Sequence, residues 1–396
     1  MNYILFDDGA WNDLRPLTFT RPVAAIRVGI LTIHEKWEKY LTSSLSYFTQ
    51  DYLAAKFPCL VKEQNVLING SVLPSEELKD AILSLKVGEY LTKGNIVLAA
   101  NFLEADVDLI HKEGIVTKLK VEFEQDVFRI AMPYDIFQAN DKAIRDDFEL
   151  LTKGRKSQPI SDTVNVLGKE NVFIEEGAKV EFATLNAKEG PIYIGKEAVI
   201  MEGVLVRGPL AMCEHAELKM GAKVYGATTL GPYCKCGGEL NNVVLFGYSS
   251  KAHDGFLGNA VLGEWCNIGA DTNNSNLKNN YSEVKLWSYT SEHFEKTGLQ
   301  FCGTIMGDHS KCGINTMLNT GTVIGVSANV FGAGFPRNFI PSFAIGGNHG
   351  FKEYRLKAAF EVADLVMQRR GLEFNETEKN ILQNVFEMTT EYRKSF

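Results

Sequence analysis

A six-residue repeat runs through the middle of this 396-residue chain and constrains its fold more than any other feature. The positions Ile194, Ile200, Val206, Met212, Leu218, Val224 and Leu230 are large and apolar. Four residues after each stands a smaller or aliphatic one: Ala198, Val204, Leu210, Ala216, Ala222, Thr228 and Cys234. The pattern returns at Phe256, Leu262 and Ile268, and again at Met306, Cys312, Leu318, Ile324 and Val330; Ile174 and Val180 open the series. A period of six fits neither a helix nor a simply alternating strand. It is the signature of a hexapeptide β-helix. In such a prism the first side chain points inward and the second lies at a corner. Three hexads complete a coil, and coils stack about 4.8 Å apart. Gly195, Gly231, Gly263, Gly269, Gly313 and Gly325 neighbour the inward positions, where a tight corner favours a residue free of Cβ strain. An ordinary β-sandwich would show period two with irregular turns and fits poorly.

The series breaks twice. Leu230 to Phe256 spans 26 residues and Ile268 to Met306 spans 38, each two more than a multiple of six. The second break holds the polar segment 273–300, which reads as a loop expelled from the solenoid, where binding commonly resides. Its Leu286, Trp287, Tyr289 and Phe294 are expected to reach a neighbouring prism. Before the repeat, Tyr3–Phe6, Asn65–Asn69 and Asn95–Ala99 read as buried strands, with helices near 34–42 and 75–85. After it, Asn375 and Glu378 suit a helix N-cap, with Ile381, Leu382, Val385 and Phe386 turned inward. The expected organisation is an α/β domain over 1–155, a left-handed parallel β-helix over 160–346 and a helical tail over 347–396.

Composition excludes several classes. The 41 Lys+Arg against 49 Asp+Glu give a net charge of -8, which argues against a protein that coats nucleic acid. No stretch approaches the roughly 20 apolar residues of a membrane span. The start MNYILFDDGAW reaches two aspartates too early for a secretory signal. Seven cysteines, odd in number and mostly at core-filler positions, read as free thiols in a reducing cytoplasm.

The segment 249–281, SSKAHDGFLGNAVLGEWCNIGADTNNSNLKNNY, carries the strongest chemical signal. His253 stands between Lys251 and Asp254, and Asn267 follows fourteen residues later, close to one coil on. Imidazole is suited to taking a proton from an amine or hydroxyl near neutral pH. Lys251 is a candidate phosphate ligand and Asn267 a candidate for orienting a hydroxyl; the competing reading makes His253 a solvated corner residue. A zinc site is disfavoured, because Cys234-x-Cys236 and Cys213 lack a ligand partner at the right spacing. His215, His253 and His309 lack the close histidine pair of a zinc carbonic anhydrase.

This segment resembles the acetyltransferase half of the bifunctional glucosamine-1-phosphate acetyltransferase/UDP-N-acetylglucosamine pyrophosphorylase family. The matching letters are KAH (251–253), FLGNAVLG (256–263) and NIGA (267–270). The resemblance implies His253 as catalytic base, Asn267 as a sugar contact and Ala270 as part of the acetyl-CoA site. Phe256 stands where the family has Tyr. More loosely, it assigns Asn276 and Gly332 to the cofactor and Lys223 to the substrate phosphate. Arg337, Lys352, Arg355 and Lys357 are placed to meet the phosphates of coenzyme A. The segment 7–29 resembles sugar-nucleotidyltransferase N-termini through Arg15, Pro16, Leu17, Thr18, Arg21 and Pro22. The whole chain is similar to a divergent, Bacteroidetes-type version of the bifunctional enzyme, including GPIYIG (190–195) and GGEL (237–240).

Departures accompany the likeness. The phosphate-cradling glycine loop reads DDGAWND, so Arg15 and Arg21 are expected to replace it as nucleotide ligands. The metal-holding Gly-Asp reads Asn69-Gly70-Ser71; Asn140, beside Asp141, is then the candidate Mg²⁺ ligand, with Asp7 or Asp8 to supply charge. The expected activity is acetyl-CoA-dependent N-acetylation of an amino-sugar 1-phosphate, coupled to nucleotidyl transfer from a nucleoside triphosphate with Mg²⁺. The expected enzyme is a cytoplasmic homotrimer. The alternatives are a sugar-1-phosphate nucleotidyltransferase whose β-helix only assembles trimers, and a non-enzymatic assembly protein.

Overall fold

The computed structural model describes residues 1–106 and 119–394, which form two compact units. The first comprises residues 1–14, 20–26 and 31–132, and the second comprises residues 15–19, 27–30 and 133–396.

The first unit is a six-stranded sheet. Its strands are β1 (Asn2–Phe6), β2 (Leu45–Phe48), β3 (Gln64–Asn69), β4 (Glu89–Lys93), β5 (Ile96–Leu103) and β6 (Leu119–Glu122), in the order β2-β1-β3-β5-β4-β6. β1 is parallel to both neighbours, and β5 is antiparallel to both of its own. Ile4, Phe6, Leu67, Ala100 and Phe102 fill one face of the sheet. Helix α1 (Ile33–Leu41) starts at a reciprocal cap between Thr32 and Glu35, and α2 (Glu76–Leu83) starts at Ser75. The expected strands and helices are present. β2, β4 and β6 escaped the sequence reading because they are four or five residues long, and β6 is exposed throughout.

The second unit is the left-handed parallel β-helix. Ile194 pairs with Met212 and Met212 with Leu230, so coils here are 18 residues long. The seven inward residues from Ile194 to Leu230 and their small partners are all buried. The six corner glycines have a different cause from the one expected: none has positive φ. Instead the next coil lies against them, and a Cβ on Gly231 would sit 1.9 Å from the Phe246 carbonyl oxygen. One row of left-handed corner positions is taken by residues with side chains. His215, Tyr233, Tyr248, Trp265 and His309 all have φ between 54 and 63° and stack as a ladder, with ring centroids 4.3 Å apart at the closest pair.

The two register breaks have opposite causes. Leu230 pairs with Leu245 after 15 residues and Leu245 with Leu262 after 17, so the first break is a shortening. Leu262 pairs with Met306 after 44 residues, so the second is an insertion. The shortening moves the inward register onto Leu257; Phe256, expected to point inward, is only half-buried.

The inserted segment forms an antiparallel hairpin, Lys285–Ser288 with His293–Lys296. Its aromatic groups turn back on their own unit, which corrects the expected reach to a neighbour. Trp287 stacks on Phe339 at 4.2 Å, and Tyr289 is buried against Phe19, Phe339 and Tyr392. Helix α3 (Pro133–Thr152) packs on the solenoid wall through Ile144, beside Phe173, Tyr193 and Ala211. α4 (Leu356–Gln368) and α5 (Glu376–Met388) follow the last coils, α5 capped by Asn375. Ile381, Leu382 and Val385 are buried as expected, and Phe386 meets Phe343 of the solenoid edge at 5.1 Å.

Candidate functional site

The solenoid carries its chemistry on a corner and on the faces beside it. One row of inward residues runs Leu218, Cys236, Lys251, Ile268, Cys312 and Val330. A lysine therefore occupies a core position of the prism. Lys251 is 1% exposed, and burial lowers its pKa from the ordinary lysine value. Its ammonium donates to the carbonyls of His253 and Asp254, the latter at 3.0 Å. A buried cation needs such partners, because each missing hydrogen bond costs about 1–3 kcal/mol. The shortened coils bring Lys251 into register, and its bonds pin the turn that carries His253. This corrects its expected role as a phosphate ligand: its charge faces the prism interior.

His253 itself is exposed at the corner. Asp271 donates its N–H to the Asp254 carbonyl at 3.0 Å, which makes Ala270 the neighbour of His253 on the next coil. Asn267 instead pairs with Ser250 and lies on the face before the corner. The face after the corner carries Lys223, Glu239 and Phe256 as aligned neighbours, with Asn273 accepting from the Phe256 N–H at 2.7 Å. Lys223 is exposed there and faces solvent. Asn276 is held by its amide on Asn259 at 2.8 Å. Gly332 lies exposed near the last coils at φ +105°, with open space where a Cβ would stand.

A cavity of 560 Å³ opens between the hairpin and the last coils. Lys278, Lys285 and Arg337 line it together with Trp287, Phe294 and Phe339, and no carboxylate does. Three cations beside a flat aromatic wall suit a phosphorylated heterocycle. Arg337 was singled out in the sequence, and Trp287 and Phe294 only as contacts to a neighbour; Lys278 and Lys285 were not, because nothing in a loop sequence announces a hairpin folding back.

In the first unit, a crevice of 550 Å³ opens where β1 and β3 end, lined by Asp7, Asp8, Gly9, Asn69, Asn95 and Arg129. The carboxyl edge of parallel strands is the usual ligand position in α/β sheets. Asp8 pairs with Arg129 at 2.5 Å and accepts from Asn69 at 2.9 Å and from the Ala10 N–H at 2.9 Å. Asp7 accepts from Thr49 and from the Val23 N–H. Burial raises its carboxyl to about 7, the Thr49 and Val23 bonds opposing. The Ala10 N–H of this loop is thus taken up by the loop's own Asp8. Arg129 is the cation that lines the crevice among the described residues, and the sequence reading missed it.

Residues 3–156 match the model of the sugar nucleotidyl transferase family. The chain is 28% identical over 398 residues to the bifunctional sugar-1-phosphate nucleotidylyltransferase/acetyltransferase of Sulfurisphaera tokodaii, covering 84% of this chain and 96% of that protein. It is 29% identical over 140 residues to the bifunctional protein GlmU of Trichodesmium erythraeum, covering 35% of this chain and 25% of the other. The UDP-N-acetylglucosamine acyltransferase from Campylobacter jejuni aligns with 60% of this chain and 84% of its own, at 13% identity and a TM-score of 0.26. That score carries no argument. Over most of its length the chain is similar to a bifunctional sugar-1-phosphate nucleotidyltransferase/acetyltransferase, and its first 156 residues carry the family match.

This transferase departs from the expected nucleotide site. Arg21 is buried in the first unit, and Arg15 belongs to the second, where its guanidinium lies 5.6 Å from the Tyr289 ring centre and 5.7 Å from that of Phe19. Neither lines the crevice. Asn140 is fully buried in α3, accepting from the Gly29 N–H and the Thr229 hydroxyl and donating to the Ala227 carbonyl. Its amide is spent on structure and does not fit Mg²⁺. Among the described residues no three His, Cys, Asp or Glu side chains gather as metal ligands, and no helix is long and apolar enough to cross a membrane.

Proposed function

We propose that the solenoid catalyses acetyl-CoA-dependent N-acetylation of an amino-sugar 1-phosphate, with His253 as general base. The observation that carries this reading is an exposed imidazole on a turn fixed from beneath by a buried ammonium. The amine nitrogen forms its bond to the acetyl carbon as His253 takes its proton, the carbon–sulfur bond breaks, and the departing thiolate receives that proton from His253 to leave as the coenzyme A thiol. Lys223, on the face after the corner, meets the sugar phosphate. Ala270 and Asn276 flank the acetyl-donor path, while Lys278, Lys285 and Arg337 hold the phosphates of its nucleotide end.

The relatives' names support a second reaction in the first unit, nucleotidyl transfer between a nucleoside triphosphate and a sugar 1-phosphate. Its crevice offers Arg129 and the neighbouring backbone for the nucleotide. Asn140, expected to hold Mg²⁺, does not fit it, and no step is assigned to the metal.

The active assembly is a homotrimer. Support comes from exposed apolar residues around the His253 corner, including Leu205, Met220, Ile314 and Met317, a band that a monomer would leave in water. All seven cysteines are free, which suits a reducing cytoplasm. Incubation with acetyl-CoA and glucosamine 1-phosphate tests the reading through the acetylated product, detected by mass spectrometry. Its absence alongside intact UTP-dependent pyrophosphate release would leave the solenoid as a scaffold.

A further inference from the structure

A second cavity of 560 Å³ lies on the solenoid wall before the His253 corner. Lys235, Ser250, Asn267 and Lys311 line it from successive coils, and Tyr248 and Trp265 from the aromatic ladder. Val366, Arg369 and Arg370 close it from the end of α4. Four cations converge and no lining residue is acidic. Lys235 is answered by Glu217 at 2.6 Å. Lys311, Arg369 and Arg370 form no ion pair among the described residues. Lys311 is also partly desolvated, its ammonium donating to the His309 carbonyl at 2.9 Å, and burial lowers its pKa.

Three cations held together with no carboxylate in ion-pair contact among the described residues repel one another, so a bound anion is favoured. A nucleoside diphosphate carries about three negative charges at neutral pH, whereas a sugar phosphate monoester carries about two and has no flat ring. Tyr248 and Trp265 stack on one another 4.3 Å apart within the ladder, so they turn their ring edges to the cavity, where a base can meet them edge to face. The volume is within the range of small-molecule sites. We propose that this cavity binds a nucleoside diphosphate, at a place distinct from both the His253 corner and the crevice of the first unit.

Photolabelling of the full chain with 8-azidoadenosine 5′-diphosphate, mapped by peptide mass spectrometry, tests this site by site. The expected label falls on peptides containing Tyr248, Trp265 or the end of α4, and the Arg369→Ala/Arg370→Ala variant loses it at least tenfold. The double variant keeps wild-type acetyl transfer and any label in the first unit. Labelling confined to the first unit would overturn the proposal. So would label on the wall that survives in the double variant, or that glucosamine 1-phosphate displaces as readily as ADP does.

Discussion

The ammonium of Lys251, inside the prism, donates to the backbone carbonyl of His253, exposed on the corner above it. One residue is core and the other surface, yet the second depends on the first for its position. Lys251→Met keeps the volume and removes the anchor. We expect it to fold, and to lose acetyl transfer at least tenfold through kcat, because a misplaced base acts poorly even when substrate is bound. Lys251→Ala should also destabilise by about 2–4 kcal/mol through the cavity it leaves.

The same lysine predicts a pH dependence. Its folded pKa lies below the ordinary 10.5, so the unfolded chain binds more protons between the two values. Stability from this site therefore rises as pH climbs through that window. Relative to Lys251→Met, wild type should gain in melting temperature as pH is raised from 7 toward about 10. A gap independent of pH would contradict the buried charge.

Asp7 has the opposite sign. Burial raises its folded pKa from 3.8 to about 7, so its contribution is fully present below about pH 4 and is lost as pH rises to 7. Asp7→Asn should match wild type in stability near pH 4 and exceed it by a few kcal/mol at most near pH 8. Thermal denaturation at the two pH values checks this.

Gly231 separates two explanations of the corner glycines. Gly231→Ala would drive a Cβ into the Phe246 carbonyl and should cost more than about 3 kcal/mol. Gly332→Ala meets nothing and bears only its φ of +105°, so it should cost less. Chemical denaturation of both variants gives the comparison.

The solenoid was legible because its period is enforced coil after coil: an inward position that is apolar in nearly every coil repeats visibly. The corner reading of His253 rested on the same regularity. Lys251 was not legible, since a lysine scores as surface and the 15- and 17-residue coils hide its inward register. Asn140 and Arg21 looked like ligands because sequence gives a residue's chemistry but not whether its bonds are already used. Arg129 was missed because it stands far along the chain from the aspartate it pairs with.

Arg337→Ala should raise the KM for acetyl-CoA about tenfold or more while kcat stays within a factor of about two, as expected for a contact made equally before and during reaction. Unchanged KM would remove the hairpin cavity from the acetyl-donor site.

The central claim is that His253 is the base of an acetyl transfer. Its most direct test is the rate of coenzyme A thiol release with saturating acetyl-CoA and glucosamine 1-phosphate, wild type against His253→Ala, with the melting temperature measured alongside. The account predicts a fall of about 10²–10⁴-fold at unchanged melting temperature, the range of a lost general base. A variant that folds and retains more than about a fifth of the wild-type rate, under one tenfold step in the barrier, would contradict it.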